Sequence, residues 1–313
     1  MDVSRRDFLR ASSALAAALG ASGLVPGLGD EAYGLEVTDG GVPVVWLQGQ
    51  SCSGCSVSLL NSISEVTVDD LLLNTLDLEF HPTLMAPTGN LAVSAAERAY
   101  RRGGYVLVVE GAIPTAAGGA YCELWPGLTM AAGVERFASR AAFILAVGTC
   151  ACYGGMAAGA PNPTGARGLA SSYGGKRVIK VPGCPTHPDW VVGTIASLLS
   201  TGRAPSLDSD GRPTQYFRRS VHDRCPFEDD WDEVERLGVL GCLEELGCKG
   251  KRTRADCPTR RWNAGAAGGS GINWCIGSGA PCFGCTESTF PDGMSPFYRS
   301  GEGGDGDGEH DDD

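Results

Sequence analysis

Thirteen cysteines stand in a chain of 313 residues, and their position relative to short apolar runs constrains the fold more than any other feature. Three cysteine-bearing loops each open where such a run closes. Residues 42–48 (V-P-V-V-W-L-Q) lead into Cys52-Ser53-Gly54-Cys55, and residues 141–147 lead into Gly148-Thr149-Cys150. Residues 177–181 lead into Pro182-Gly183-Cys184-Pro185. Short apolar runs bounded by glycine or proline read as buried strands. Two more are predicted at 78–81 and 105–109. Helical patterns fill the spaces at 56–63, 94–102, 134–139 and 190–199, the last closed by Gly202. Strands alternating with helices predict an α/β fold, a parallel sheet covered on both faces. Ligands of such sheets bind beyond the carboxyl ends of the strands. Cys52, Cys55, Cys150 and Cys184 can therefore converge from distant parts of the sequence.

Four thiolates are what a 4Fe–4S cluster takes. Zinc would accept the same four, and in an exported chain disulfides are the default use of cysteine. Two further groups follow. His222-Asp223-Arg224-Cys225 places an imidazole and a thiolate one turn apart, and Cys242 and Cys248 complete a four-ligand set. Imidazole in place of a thiolate lowers the negative charge of a site and raises its potential. The third group is Cys257 with Pro281-Cys282-Phe283-Gly284-Cys285. Three cysteines fit a 3Fe–4S cluster, while Cys275 offers a fourth ligand for 4Fe–4S. Zinc gives these later groups no role. From about residue 203 proline, glycine, aspartate and cysteine dominate without periodicity. Such a segment buries little apolar surface of its own, and metal is the expected staple.

The N-terminus bears on the redox state of these thiols. Ser4-Arg5-Arg6-Asp7-Phe8-Leu9 precedes an apolar, small-residue stretch, and residues 1–30 read as a twin-arginine signal segment. That route exports proteins already folded with their cofactor. No later run is long and apolar enough to form a membrane helix. The expected location is the periplasm or the outer face of the cytoplasmic membrane, without a transmembrane anchor of its own. Formal net charge is −12, which excludes a nucleic-acid partner, since phosphate binding needs a basic face. Residues 300–313 are acidic and lack apolar side chains, as a solvated, disordered tail does.

Together the motifs resemble the small subunit of a nickel–iron hydrogenase of the exported, membrane-associated uptake type. The resemblance rests on residues 47–55 (L-Q-G-Q-S-C-S-G-C), 81–86 (H-P-T-L-M-A), 109–114 (V-E-G-A-I-P) and 148–151 (G-T-C-A). It continues through 161–166 (P-N-P-T-G-A), 182–185 (P-G-C-P) and the His222 and Cys282 groups. It implies a flavodoxin-like domain at 40–202 with a proximal 4Fe–4S cluster on Cys52, Cys55, Cys150 and Cys184. A smaller, loop-rich domain at 203–299 would carry a distal 4Fe–4S cluster on His222, Cys225, Cys242 and Cys248. The same domain would carry a medial cluster on Cys257, Cys282 and Cys285, with or without Cys275. The catalytic nickel–iron centre belongs to a separate large subunit, so no catalytic residue is expected here. Electrons would leave to a cytochrome b or another membrane redox partner.

Departures from the pattern are informative. Cys275 stands where the family often has proline. Gly54 and Gly155 occupy places where certain oxygen-tolerant members carry extra cysteines. Cys122 and Cys152 read as plain buried thiols, and His187 as a loop residue. The acidic tail takes the place of the usual C-terminal membrane helix. Glu110 suits either proton and partner contacts or structural hydrogen bonding. Two other readings are an iron–sulfur subunit of another respiratory complex with the same N-terminal domain, and a metal-free, disulfide-stabilised binding protein.

Overall fold

The computed structural model describes residues 41–63, 66–175, 177–228, 234–263 and 273–298. The signal segment and the acidic tail lie outside these. Five parallel strands form the central sheet: β1 (Val42–Gln48), β2 (Leu76–Phe80), β3 (Val106–Glu110), β6 (Phe143–Val147) and β7 (Val178–Val181), in the order β2-β1-β3-β6-β7. Counted among themselves these strands run 2-1-3-4-5, the doubly wound order of flavodoxin-like folds. A two-stranded antiparallel ribbon, β4 (Glu123–Trp125) with β5 (Leu128–Thr129), is additional.

Both faces of the sheet are covered, which explains why its strands read as nearly unbroken apolar runs. Alternate residues serve opposite sides. Val44, Trp46, Val106, Val108, Leu145 and Val181 belong to one core, while Val45, Leu47, Leu107, Val109 and Ala146 belong to the other. The second core is closed by α2 (Asn90–Arg102) and α3 (Met130–Arg140), which offer Ala96, Ala99, Val134 and Phe137. The first is closed by α1 (Gly54–Leu59) and α5 (Pro188–Thr201). Between β6 and β7 lies α4 (Gly148–Tyr153).

The segment after residue 203 does not fold apart from this sheet. Phe217, Val221, Phe227, Leu243, Leu246, Trp274 and Ile276 join the first core. Helix α5 shows the consequence. A helix covering a sheet from solvent is apolar on one stripe, yet ten of the fourteen residues of α5 are buried, because later residues cover its outer side. The sequence reading therefore underrated the apolar surface available there: the segment borrows the sheet's core. Trp190 is the main joint, with its indole N–H donating to Asp256 Oδ1 at 2.8 Å and its rings against Phe217 and His187.

Candidate metal centres

The register of the sheet aligns the carboxyl ends of four strands. Gln48 pairs with Glu110, Glu110 with Val147, and Val147 with Val181. The loops that follow carry Cys52 and Cys55, then Cys150, then Cys184, so one sheet edge gathers all four. Their thiols share one electrostatic environment. Burial pushes Cys55 well above the ordinary thiol range, and Glu110, Cys150 and Cys184 add to the rise. Low-polarity surroundings, then Cys150 and Cys52, push Cys184 up to about 11. Such thiols do not ionise together readily, and a cationic metal core would relieve the repulsion and release their protons. Gly148, at φ 83°, allows this crowding: a Cβ there would fall 2.4 Å from Cys55 Sγ. A Cβ on Gly155 would lie 2.9 Å from Cys150 Sγ, and one on Gly54 3.0 Å from Cys52 Sγ.

Glu110 organises the first loop. Its buried carboxylate accepts from Cys55 N–H at 3.1 Å, Ser51 Oγ at 3.0 Å, Trp46 Nε1 at 3.0 Å, Gln48 Nε2 at 3.1 Å and the Ser56 hydroxyl at 2.5 Å. A buried carboxylate needs such saturation. Of the two roles considered for it, this geometry supports structural hydrogen bonding. His81 extends the network. Its Nδ1 accepts from the backbone N–H of Thr83 and Leu84, so Nε2 holds the proton and donates to Ser56 Oγ at 3.2 Å. Burial lowers its pKa to about 4 against the pull of Glu110, and the ring is neutral near pH 7.

The second group lines one depression, in which His222, Cys225, Cys242 and Cys248 are joined by Phe227 and Ile276. Cys225 sits near Cys248 and Cys242, and burial raises its thiol. The third group also assembles. Burial, with Cys285 and Cys282 alongside, pushes Cys257 well up, and Cys275 is part of the same neighbourhood. Cys282, pushed up to about 12 by burial, and Cys285 both feel Cys275 too. The second and third groups are tied together where Cys282 N–H donates to Cys248 Sγ at 3.4 Å.

Zinc fits none of these groups well. Among the described residues no three His, Cys, Asp or Glu side chains stand close enough to hold a single metal ion. A cluster places its own irons and sulfides between the thiolates and takes a wider cage than a single ion. All thirteen cysteines are free. Cys152 is buried, as expected, with its thiol donating to Ala146 C=O, whereas Cys122 is half-buried. His187 lies in the loop before α5, as expected, and is buried there as the N-cap of that helix, with Nδ1 accepting from Asp189 N–H and Nε2 donating to Arg261 C=O at 2.7 Å.

Residues 52–198 match the family described as NADH ubiquinone oxidoreductase, 20 Kd subunit. Residues 217–298 match the family that describes the C-terminal part of the NiFe/NiFeSe hydrogenase small subunit. The chain is 41% identical over 325 residues to the periplasmic NiFeSe hydrogenase small subunit of Desulfomicrobium baculatum, across 95% of this chain and 99% of that protein. This chain belongs to the NiFe/NiFeSe hydrogenase small subunits. It is 36% identical to the Hydrogenase-2 small chain of Escherichia coli K12, over 91% of this chain and 77% of that one. Among solved structures, the Dm. baculatum NiFeSe hydrogenase superimposes with a TM-score of 0.77 at 41% identity, covering 83% of this chain and 99% of that chain. The actinobacterial-type NiFe hydrogenase of Ralstonia eutropha H16 gives 0.73 at 32% identity, covering 83% of each.

As a hydrogenase small subunit, the chain is part of an oxidoreductase, and membership implies iron–sulfur binding. The match over 217–298 separates it from respiratory subunits that share only the first region. The described residues contain no helix long and apolar enough to cross a membrane.

Proposed function

We propose that this small subunit relays electrons released by hydrogen oxidation at a partner large subunit to an external redox partner. Cys52, Cys55, Cys150 and Cys184 would hold a proximal 4Fe–4S cluster. His222, Cys225, Cys242 and Cys248 would hold a distal one, and Cys257, Cys282 and Cys285 the medial one. The electrostatic influence of Cys275 on Cys257, Cys282 and Cys285 supports a third 4Fe–4S cluster over 3Fe–4S. When bound, the clusters supply three one-electron carriers in series, proximal to medial to distal.

What the chain itself contributes is placement. Glu110 fixes the first cysteine loop against the sheet end, and Gly148 leaves the space in which Cys55 and Cys150 face each other. Cys52 and Cys184 lie exposed at that end. Beside them Val57, Leu60 and Met156 are also exposed, an apolar rim that suits docking of the large subunit, where the nickel–iron centre resides. The boundary of the two domains falls near residue 203. The periplasmic names of the relatives and the paired Arg5-Arg6 support export by the twin-arginine route. Cytochrome b or another membrane redox partner would take the electrons at the His222 end.

The observation that carries this reading is the convergence of three cysteine groups on one continuous fold. The test is metal and sulfide analysis of the exported heterodimer with hydrogen-dependent dye reduction. About twelve irons per small subunit, four per cubane, are expected, with dye reduced only when both subunits are present. A protein free of iron and acid-labile sulfide would refute the relay. Silence of the oxidised medial site in electron paramagnetic resonance is expected for 4Fe–4S, and a 3Fe–4S signal there would remove Cys275 from the ligand set.

A further inference from the structure

Two buried threonines stand between the cysteine groups, and neither is a ligand. Thr149, 1% exposed, precedes Cys150 in the first turn of α4, directly after β6. Its hydroxyl accepts from Gly183 N–H at 2.9 Å, one residue before Cys184, and donates to the carbonyl of Cys285. Its own N–H donates to Gly183 C=O at 2.9 Å. One side chain thus ties two loops of the first group to a backbone carbonyl of the third. Both hydrogen-bonding directions of the hydroxyl are used across segments 34 and 136 residues apart.

Thr253, 2% exposed, does the same between the third and second groups. Its hydroxyl donates to Lys249 C=O at 2.6 Å, one residue after Cys248, and lies 3.5 Å from Cys282 Sγ. Its carbonyl accepts from Val221 N–H at 2.7 Å, one residue before His222. Lys249 N–H returns to Cys282 C=O at 2.8 Å. The two sites share one plan: a buried threonine whose hydroxyl touches two neighbouring groups, through backbone on both sides at Thr149 and through Lys249 C=O and Cys282 Sγ at Thr253.

We infer that Thr149 and Thr253 are positioning residues that set the two gaps between the three cysteine groups, and so the rate of each electron hop. The inference rests on the cluster assignment proposed above. Electron tunnelling decays exponentially with separation, so a small drift of one loop is felt in the rate although every ligand stays in place. Replacing the Thr149 hydroxyl by a methyl orphans Gly183 N–H and Cys285 C=O, and such groups are costly to leave unpaired. Replacing that of Thr253 leaves Lys249 C=O with Arg252 N–H alone and removes the contact with Cys282 Sγ. The loops then shift to regain partners. Valine keeps the volume and loses the hydroxyl, whereas serine keeps the hydroxyl.

The test uses the assembled large–small heterodimer, mixed with hydrogen and freeze-quenched, with each cluster followed by its own paramagnetic signature and its magnetic coupling to its neighbour. Thr149→Val is expected to slow proximal-to-medial transfer several-fold and change that coupling, leaving medial-to-distal transfer as in the wild type. Thr253→Val should show the reverse. Both Ser variants should match the wild type, and iron content should be the same in all five proteins. Wild-type hops in both Val variants would overturn the inference, as would slowing of one and the same hop by both. Loss of iron from a Val variant with iron kept in its Ser partner would also overturn it, because the hydroxyl would then retain a cluster and not space two. A wild-type heterodimer without iron would instead refute the relay itself.

Discussion

The parallel sheet and the segment that follows residue 203 reach stability by different routes. The sheet buries both faces, and Val44, Leu47, Val108 and Leu145 are fully covered by helices from the same region. Beyond 203, no helix among the described residues exceeds four residues, and none of the strands of the sheet is found there. That segment leans on α5 for its apolar contacts and brings eight of the proposed ligands within little more than sixty residues. A cluster loop in the first region decorates a fold that exists without it. In the second, the proposed clusters would take the place of secondary structure.

The largest expected effect follows from this contrast. Removal of iron from the chain should leave the sheet region folded and open residues 203–298 to protease. Limited proteolysis with mass analysis of the fragments checks it. The single variant Cys257→Ala should do the same in part, whereas Cys52→Ser should not sensitise the second region. Equal resistance of both regions in the iron-free chain would show that apolar docking on α5 is sufficient.

Next in size is the joint itself. Trp190 is 1% exposed and is hydrogen-bonded to Asp256. Truncation of a buried aromatic of this kind costs about 3–5 kcal/mol, so Trp190→Ala should lower the denaturant midpoint of the iron-loaded chain strongly. Because the cavity opens between the regions, the second should unfold first. A single cooperative transition merely shifted down would mean that the regions are one folding unit.

How much of this was legible in the sequence differs by region in the same way. The sheet was, because strands buried on both faces announce themselves as apolar runs, and because cysteines placed after those runs mark the ligand end. Element boundaries were less so. The first helix was expected at 56–63 and runs Gly54–Leu59, since Glu110 binds Cys55 and Ser56 N–H and starts the turn early. The β4–β5 ribbon around Pro126-Gly127 was missed: its strands are too short to show alternation. The contact of His187 with Arg261 and the positions of Thr149 and Thr253 depend on partners far along the chain, and no local pattern encodes them. Cys275 was visible as a candidate, but its influence on Cys257 and Cys285 comes only from the folded arrangement.

Glu110 holds the cysteine loop on the sheet side. It is 1% exposed and serves five donor residues. Glu110→Gln turns one of its two oxygens into an N–H donor facing other donors, which leaves buried groups unpaired at about 1–3 kcal/mol each. The expected result is a loosened Cys52–Cys55 loop and altered proximal-cluster spectra, with residues 203–298 unaffected. Proteolysis that spread into the second region would contradict the independence of the two.

His81 gives the smallest effect and the most local one. Its pKa in the fold is about 4, against an ordinary value near 6.5. Between these values the unfolded chain binds a proton that the native chain does not. Stability therefore rises with pH across that window and falls as pH drops below about 6.5, at no more than about 1.4 kcal/mol per pH unit from this one group. His187 is likewise held below its ordinary value by burial and adds to the same slope from the joint at α5. Unfolding of the iron-loaded chain between about pH 7.5 and 5.5, where one proton per histidine is at stake, separates the two. His81→Gln, whose amide can donate to Ser56 as Nε2 does, should remove the His81 share of the slope and leave that of His187. An unchanged slope would mean that the ring takes up its proton in the fold at the same pH as in the unfolded chain, and Thr83 and Leu84 N–H could not then both point at Nδ1.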